Sequence, residues 1–157
     1  MMTQSAMEYL VTYGWAIAIL GVVIAALIAL GILNPTAFTP NVCSFPADFG
    51  CLSVAILPPG NVVVNIEQST ASPITLTAVG CNDAGNTANM ITQSPPTGVY
   101  MQIGSNYTVY NIRCYANGVP FNGVIGRVYT GWIVMNYTDS QSGFKHVVAG
   151  RLIQKVT

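Results

Sequence analysis

From Gly14 to Leu33 the chain reads GWAIAILGVVIAALIALGIL, twenty residues without a charge, and no charged residue occurs between Glu8 and Asp48. A helix over that run is roughly 30 Å long, the thickness of a bilayer's hydrocarbon core, and one beginning at Met1 reaches about 50 Å. Asn34 and Pro35 are predicted to end it, because proline cannot continue the backbone ladder and biases the residue before it away from helical space. TAFTP extends the break. The chain therefore divides into an apolar helix over 1–33, a linker over 34–42 and a globular domain over 43–157. A secretory signal would have a basic opening and a shorter apolar core. Here the core is long and no Lys or Arg precedes it, so the segment is expected to stay, and positive charges do not set its orientation.

Composition removes several function classes. Hydrophobic residues make up 52% of the 157 residues and charged ones 6%, against roughly 25% charged in soluble domains. Five Lys and Arg, none before Arg113, do not make the basic patch that nucleic acid requires. The single histidine, His146, cannot complete the usual zinc sets. No G-x-S-x-G surrounds any serine, His146 falls in a predicted strand near Asp139, and Asp48, Glu67 and Asp83 share no spacing. The reading is of a chain that is not an enzyme and has no cofactor and no metal.

The apolar helix carries two further features. Gly14, Ala18, Gly21, Ala25 and Ala29 recur at spacings of three and four, a stripe along which another helix approaches closely. Glu8 is the sole carboxylate of the first forty-seven residues. Placed in a first helical turn it complements the helix dipole; placed beside the α-amino group of an adjacent subunit it sets the register of stacked helices.

QSAMEYLVTYGWAI, Gln4 to Ile17, resembles the start of archaeal type IV pilins, whose class III leader is cut before a Gln that is followed by a Glu at the fifth mature position. The resemblance covers about thirty residues, the motif and the apolar helix. It implies cleavage between Thr3 and Gln4 and a register role for Glu8. Only Met1, Met2 and Thr3 precede the cut, where the family's leader usually carries Lys or Arg.

Beyond Pro40 short alternating runs separated by Pro, Gly, Asn and Ser predict an all-β domain, giving an α+β chain. Strands are expected at 51–56, 61–67, 74–78, 99–103, 107–114, 126–137 and 144–156, with Leu57-Pro-Pro-Gly-Asn61 as a hairpin turn. Seven strands at this spacing suggest an immunoglobulin-like, two-sheet sandwich. RVYTGWIVMNY is apolar on both parities, so that strand is either central or covered by another chain. Lys145, Arg151 and Lys155 share one parity of the last strand, and Val148, Leu152 and Val156 the other.

Cys43, Cys51, Cys81 and Cys114 contain no CxxC pair and allow three pairings. Cys43 with Cys51 stiffens the exit from the helix, and Cys81 with Cys114 clamps two strands; this pairing is favoured and implies an oxidising exterior. Asn106-Tyr-Thr and Asn136-Tyr-Thr are N-glycosylation sequons, while Asn34-Pro-Thr is disqualified by its proline.

The expected function is that of a structural subunit of an extracellular filament for adhesion to surfaces or cells, polymerised through its helix. The resemblance supplies its partners: copies of itself, a prepilin peptidase, an assembly ATPase with its platform protein, and the membrane before assembly. Two alternatives stand beside it. One is a membrane-tethered β-domain that binds a sugar or peptide through Tyr100, Tyr107, Tyr110, Tyr115, Phe121, Tyr129 and Trp132; the other is an archaellin or minor pilin.

Overall fold

The computed structural model describes residues 3–31, 40–92 and 98–157. They belong to two compact units that divide between Thr39 and Pro40. The first is helix α1, Thr3–Ala29. It is interrupted by no proline, and its two glycines each cost only about 1 kcal/mol against alanine in a helix interior. Its end lies before the predicted stop. Leu30 N–H still donates to the Ala26 carbonyl (2.9 Å), whereas Gly31 N–H turns back to Ile28 (3.0 Å) with a φ of 69°. Glycine there adopts the left-handed conformation that closes helix C-termini. Asn34, Pro35 and most of the expected linker lie outside the described residues.

The second unit is all-β. In chain order its strands are β1 (Val42–Ser44), β2 (Phe49–Leu57), β3 (Asn61–Gln68), β4 (Ile74–Asn82), β5 (Ile91–Thr92), β6 (Val99–Met101), β7 (Asn106–Ala116), β8 (Val119–Pro120), β9 (Val128–Asp139) and β10 (Lys145–Lys155). The seven expected strands all form, and three short ones join them. Along β3, Val62, Val64, Ile66 and Gln68 are buried and the residues between them only partly so, the period-two pattern of a half-covered sheet. The interior side chains of β2, β3, β4, β7, β9 and β10 meet in one core around Ile56, Ile66, Leu76, Ile112, Met135 and Leu152.

The expectation of two stacked immunoglobulin-like sheets needs correction. The strands follow one path, β1-β10-β9-β4-β7-β3-β2, that curls into a nearly closed, barrel-like sheet. It closes where β2 meets the chain that follows β10: Ile56 bridges Val156, and Thr157 N–H donates to the Ile56 carbonyl (3.0 Å). The reason lies in β7. Its first part pairs with β3, and its end runs parallel to β4 for two residues, Cys81 beside Cys114 and Asn82 beside Tyr115. Within the β3 pairing, Asn111 sits at a φ of 57° where the register shifts between Val62 and Val64, a bulge that bends and twists the strand; Ile112 and Arg113 still face β3, and the change of partner comes at Cys114.

This sheet has two weak seams, and a disulfide crosses each. Cys43–Cys51 joins β1 to β2, the two ends of the path, and Cys81–Cys114 joins β4 to β7 at their two-residue ladder. β9 lies between β10 and β4 and has Ile133, Val134 and Met135 fully buried. That resolves the strand apolar on both parities as a central one. Leu152 of β10 and Val156 just beyond it are buried and Lys145 and Lys155 exposed, as expected, while Val148 and Arg151 are each partly buried; β10 is nonetheless not terminal in the sheet, because β1 pairs with Arg151–Ile153. The charge row thus lies on the barrel's outer face, with Arg151 over the Trp132 ring at 5.0 Å. Gly150 faces Phe45, which occupies the space a Cβ would need.

Loop-closure entropy ranks the two disulfides. They close separations of 8 and 33 residues, so replacing the Cys81–Cys114 pair by serines should cost about 1 kcal/mol more than replacing Cys43–Cys51. Denaturant unfolding of the two double variants measures this; an equal or reversed order contradicts it.

Candidate functional site: the exposed apolar helix

Met7–Ala29 is 23 residues long and apolar enough to cross a membrane, a rise of roughly 35 Å. Its apolar side chains point in every direction. Val11, Trp15, Ile17, Ile19, Leu20, Val22, Val23, Ile24 and Ile28 are all exposed. A helix that is hydrophobic all round is one that belongs in a larger core or in lipid.

Two local features organise its amino-terminal part. Tyr9 and Tyr13, one turn apart, stack at 5.2 Å with their planes 17° apart. Thr12 Oγ1 donates to the Glu8 carbonyl at 2.8 Å. Glu8, Tyr9, Thr12 and Tyr13 thereby line a shallow groove with a carboxylate in an apolar wall. Glu8 is the sixth residue of α1, and the first turn contains no acidic side chain. The helix-dipole reading of Glu8 therefore fails, because that effect is confined to the terminal turn.

Gly14 and Ala18 share a second groove with Val11 and Trp15. A Cβ added at Gly14 or Gly21 would meet no atom of the described chain within 4 Å. Ala18, Ala25 and Ala29 continue the strip of small residues. Thr3 and Gln4 belong to the helical backbone; their side chains lie outside the described residues.

The head brings the other predicted residues together in part. Asn106 is exposed at the start of β7, while Asn136 lies in central β9 with Oδ1 buried and without a partner. The aromatic residues offered for a binding site do not converge. Phe121 and Tyr129 pack edge to face in the core at 4.9 Å, and Tyr129 Oη donates to the Tyr115 carbonyl at 2.9 Å. Burial, with Asp83 adding to it, pushes the Tyr129 phenol well above its ordinary range. Tyr100 and Tyr110 are exposed on separate strands. His146 stacks on Tyr137 at 5.2 Å. Among the described residues no three His, Cys, Asp or Glu side chains cluster as metal ligands.

Asp139 has a structural engagement. One carboxylate oxygen accepts from the Gln141 and Ser142 N–H groups (2.8 and 2.7 Å), and the other accepts from the Ser72 hydroxyl. These bonds tie the β9–β10 turn to the loop before β4.

An apolar span and two disulfides are the features of a membrane-anchored or secreted protein. Compared with protein-family models, curated proteins and solved structures, the chain matches none.

The Asp139 bonds have a pH signature. The Ser72 hydroxyl first, then the turn N–H groups, hold its carboxyl down to about 2 from an ordinary 3.8. A lowered folded pKa contributes stability above the unfolded value and loses it as pH falls through the folded one. Melting temperature should therefore drop between about pH 4 and pH 2, and Ser72→Ala should raise the Asp139 pKa and flatten that drop. An unchanged Asp139 titration in Ser72→Ala, followed by NMR, would contradict the assignment.

Proposed function

We propose that this chain is a structural subunit, a pilin, of an extracellular archaeal type IV pilus. In this reading α1 packs among copies of itself in the filament core, and the barrel-like β domain forms the outer sheath. The observation that carries the proposal is an apolar helix, exposed on every side, bearing one carboxylate and a strip of small residues. The start QSAMEYLVTYGWAI supports the same family.

The physics of assembly follows from the side chains. Lipid is as apolar as a bundle of such helices, so burial alone does not draw the helix out of a membrane; close packing and polar pairing must. Gly14 and Gly21 let neighbouring backbones approach. Glu8, costly in an apolar setting without a partner, pairs with the α-amino group freed when the leader is cut before Gln4. A prepilin peptidase makes that cut, and an ATPase with its platform protein supplies the work of extraction. Contacts of this kind repeat without closing, which yields a helical fibre rather than a ring. The fibre's tasks are attachment to surfaces or cells, and its location is the cell exterior.

Shearing cells and imaging the released material tests the reading. A Cβ at Gly21 meets no atom of the described residues within 4 Å, so with Gly21→Leu the head should fold normally while fibre yield falls by roughly tenfold or more, a loss of ~1.4 kcal/mol per contact. Glu8→Gln should act in the same direction. A protein that stays with the membrane and forms no fibres is the tethered binding module instead; fibres whose loss stops swimming mark an archaellin, and scarce copies a minor pilin.

Glycosylation of the exported head supplies a separate test. Asn106 is exposed, whereas Asn136 has its side-chain oxygen buried in a central strand. Glycopeptide mass spectrometry should find sugar at Asn106 and an unmodified Asn136. Sugar confined to Asn136 would contradict the exposure argument.

A further inference from the structure

The two ends of the head differ in chemistry. The chain enters at one of them: Val42 pairs with Ile153, and Lys155 N–H donates to Asn41 Oδ1 at 3.5 Å, beside the last residues of β10. The turn between β2 and β3 and the loop between β8 and β9 lie at this same proximal end. Gly123 N–H donates to the Pro59 carbonyl (2.7 Å), and Gly126 N–H to the Val156 carbonyl (2.9 Å). The tips of these two loops are Leu57, Pro58, Pro59, Val124 and Ile125, all exposed, Ile125 to 73%.

Cations surround this apolar tip. Arg127 follows Ile125 by two residues, its guanidinium over the Phe121 ring at 5.1 Å and donating to the Asn122 carbonyl at 3.2 Å, and Lys155 Cε passes 3.9 Å from the Cβ position of Gly126. Arg113 faces Asn61 at the foot of the β2–β3 turn. Against these three stands Asp83, whose carboxylate accepts from Asn117 N–H at 2.6 Å.

The distal end is the reverse. It holds Asp48, whose carbonyl accepts from Ser69 N–H, together with Glu67 opposite Asn106 and Asp139 in the β9–β10 turn. Lys145, opposite Thr138, is its cation. Ile103 and Phe144 are exposed there too, so charge rather than apolar surface alone distinguishes the ends. A neutral chain with five cations and five anions has sorted most of its head charges by sign.

We propose that the proximal end of the head docks on an anionic lipid surface, with Val124 and Ile125 entering the headgroup region and Arg113, Arg127 and Lys155 meeting lipid phosphates. The inference rests on reading α1 as a membrane span before assembly. The tether keeps the head close to the bilayer, since the nine residue steps from Gly31 to Pro40 extend to roughly 30–33 Å at most. Amphipathic surfaces that combine apolar tips with basic residues bind lipid by both terms together. Docking would hold the head in one orientation, its acidic end facing away from the membrane, before the chain is taken into a fibre.

The test places the isotope-labelled full chain in bicelles that contain a lipid-borne nitroxide, with and without anionic phospholipid. The amides of Gly60, Val124 and Ile125 should broaden strongly while those of Gln141–Gly143 stay sharp, and anionic lipid should increase the contrast. Arg127→Gln and Lys155→Gln should each lower the docked-to-undocked ratio about fivefold. Val124→Ser with Ile125→Ser should abolish the broadening and leave the distal chemical shifts unchanged, which checks the fold.

Proximal amides as sharp as the distal ones, with α1 amides broadened, would overturn the docking and leave the membrane reading of α1 standing. Sharp α1 amides would overturn both. Broadening that comes from a nitroxide on a second copy, and none from lipid, would assign the tip to a protein contact and overturn the proposal as well.

Discussion

Water cannot be the final environment of α1. Its Val11, Ile17, Ile19, Leu20, Val22, Val23, Ile24 and Ile28 side chains are each roughly half or more exposed. Fully burying one such side chain is worth about 1.5–3 kcal/mol. Eight together are of the order of the ~5–15 kcal/mol that stabilises a whole domain. The helix therefore needs an apolar surrounding, whether lipid or protein. The choice between those environments turns on side chains of little apolar weight: the two glycines that permit close approach, and the single carboxylate that tolerates neither lipid nor a helix core without a partner.

The head follows a different logic. It forms without a long-range helix, from strands whose alternation fills one core, and its sheet curls until the first and last strands of the path meet. Such a closure leaves seams where the ladder is short, and the cysteines occupy those seams. Cys81–Cys114 supports a parallel contact of two residues, and Cys43–Cys51 joins β1, a strand of three residues, to β2. Covalent seams suit a domain with few charges, which relies on hydrogen-bonded Ser, Thr, Asn and Gln side chains at its turns. The fully buried Gln68 Nε2 donates to Thr70 Oγ1 and the Ser72 carbonyl at 2.5 and 2.6 Å, while its Oε1 has no partner among the described residues.

Much of this was legible from residue order. Period-two alternation located β3 and β4, and Leu57-Pro-Pro-Gly-Asn61 marked a turn that Gly60 N–H closes onto the Leu57 carbonyl at 2.7 Å. Asn117-Gly118 was an available signal that went unused; both residues have positive φ, 53° and 76°, and turn β7 into β8, as an Asn-Gly hairpin does. Gly31 was likewise a better helix stop than Asn34-Pro35, because a left-handed glycine caps the last carbonyls directly. Barrel closure was not legible. It depends on β7 changing partners at Cys114 and on Ile56 meeting Val156, and neither contact leaves a local pattern. The site divides in the same way: the apolar run, Glu8 and the small residues are consecutive text, whereas the basic, apolar end of the head assembles from loops more than sixty residues apart and appears only once the strands are in register.

Cryo-electron microscopy of fibres released from cells addresses the central claim most directly. The account predicts axial density built from α1 of many copies, Gly14 and Gly21 at the closest crossings, Gln4 as the first residue and the β domains outside. Fibres that lack this chain, or an axis made from anything other than α1, would contradict it.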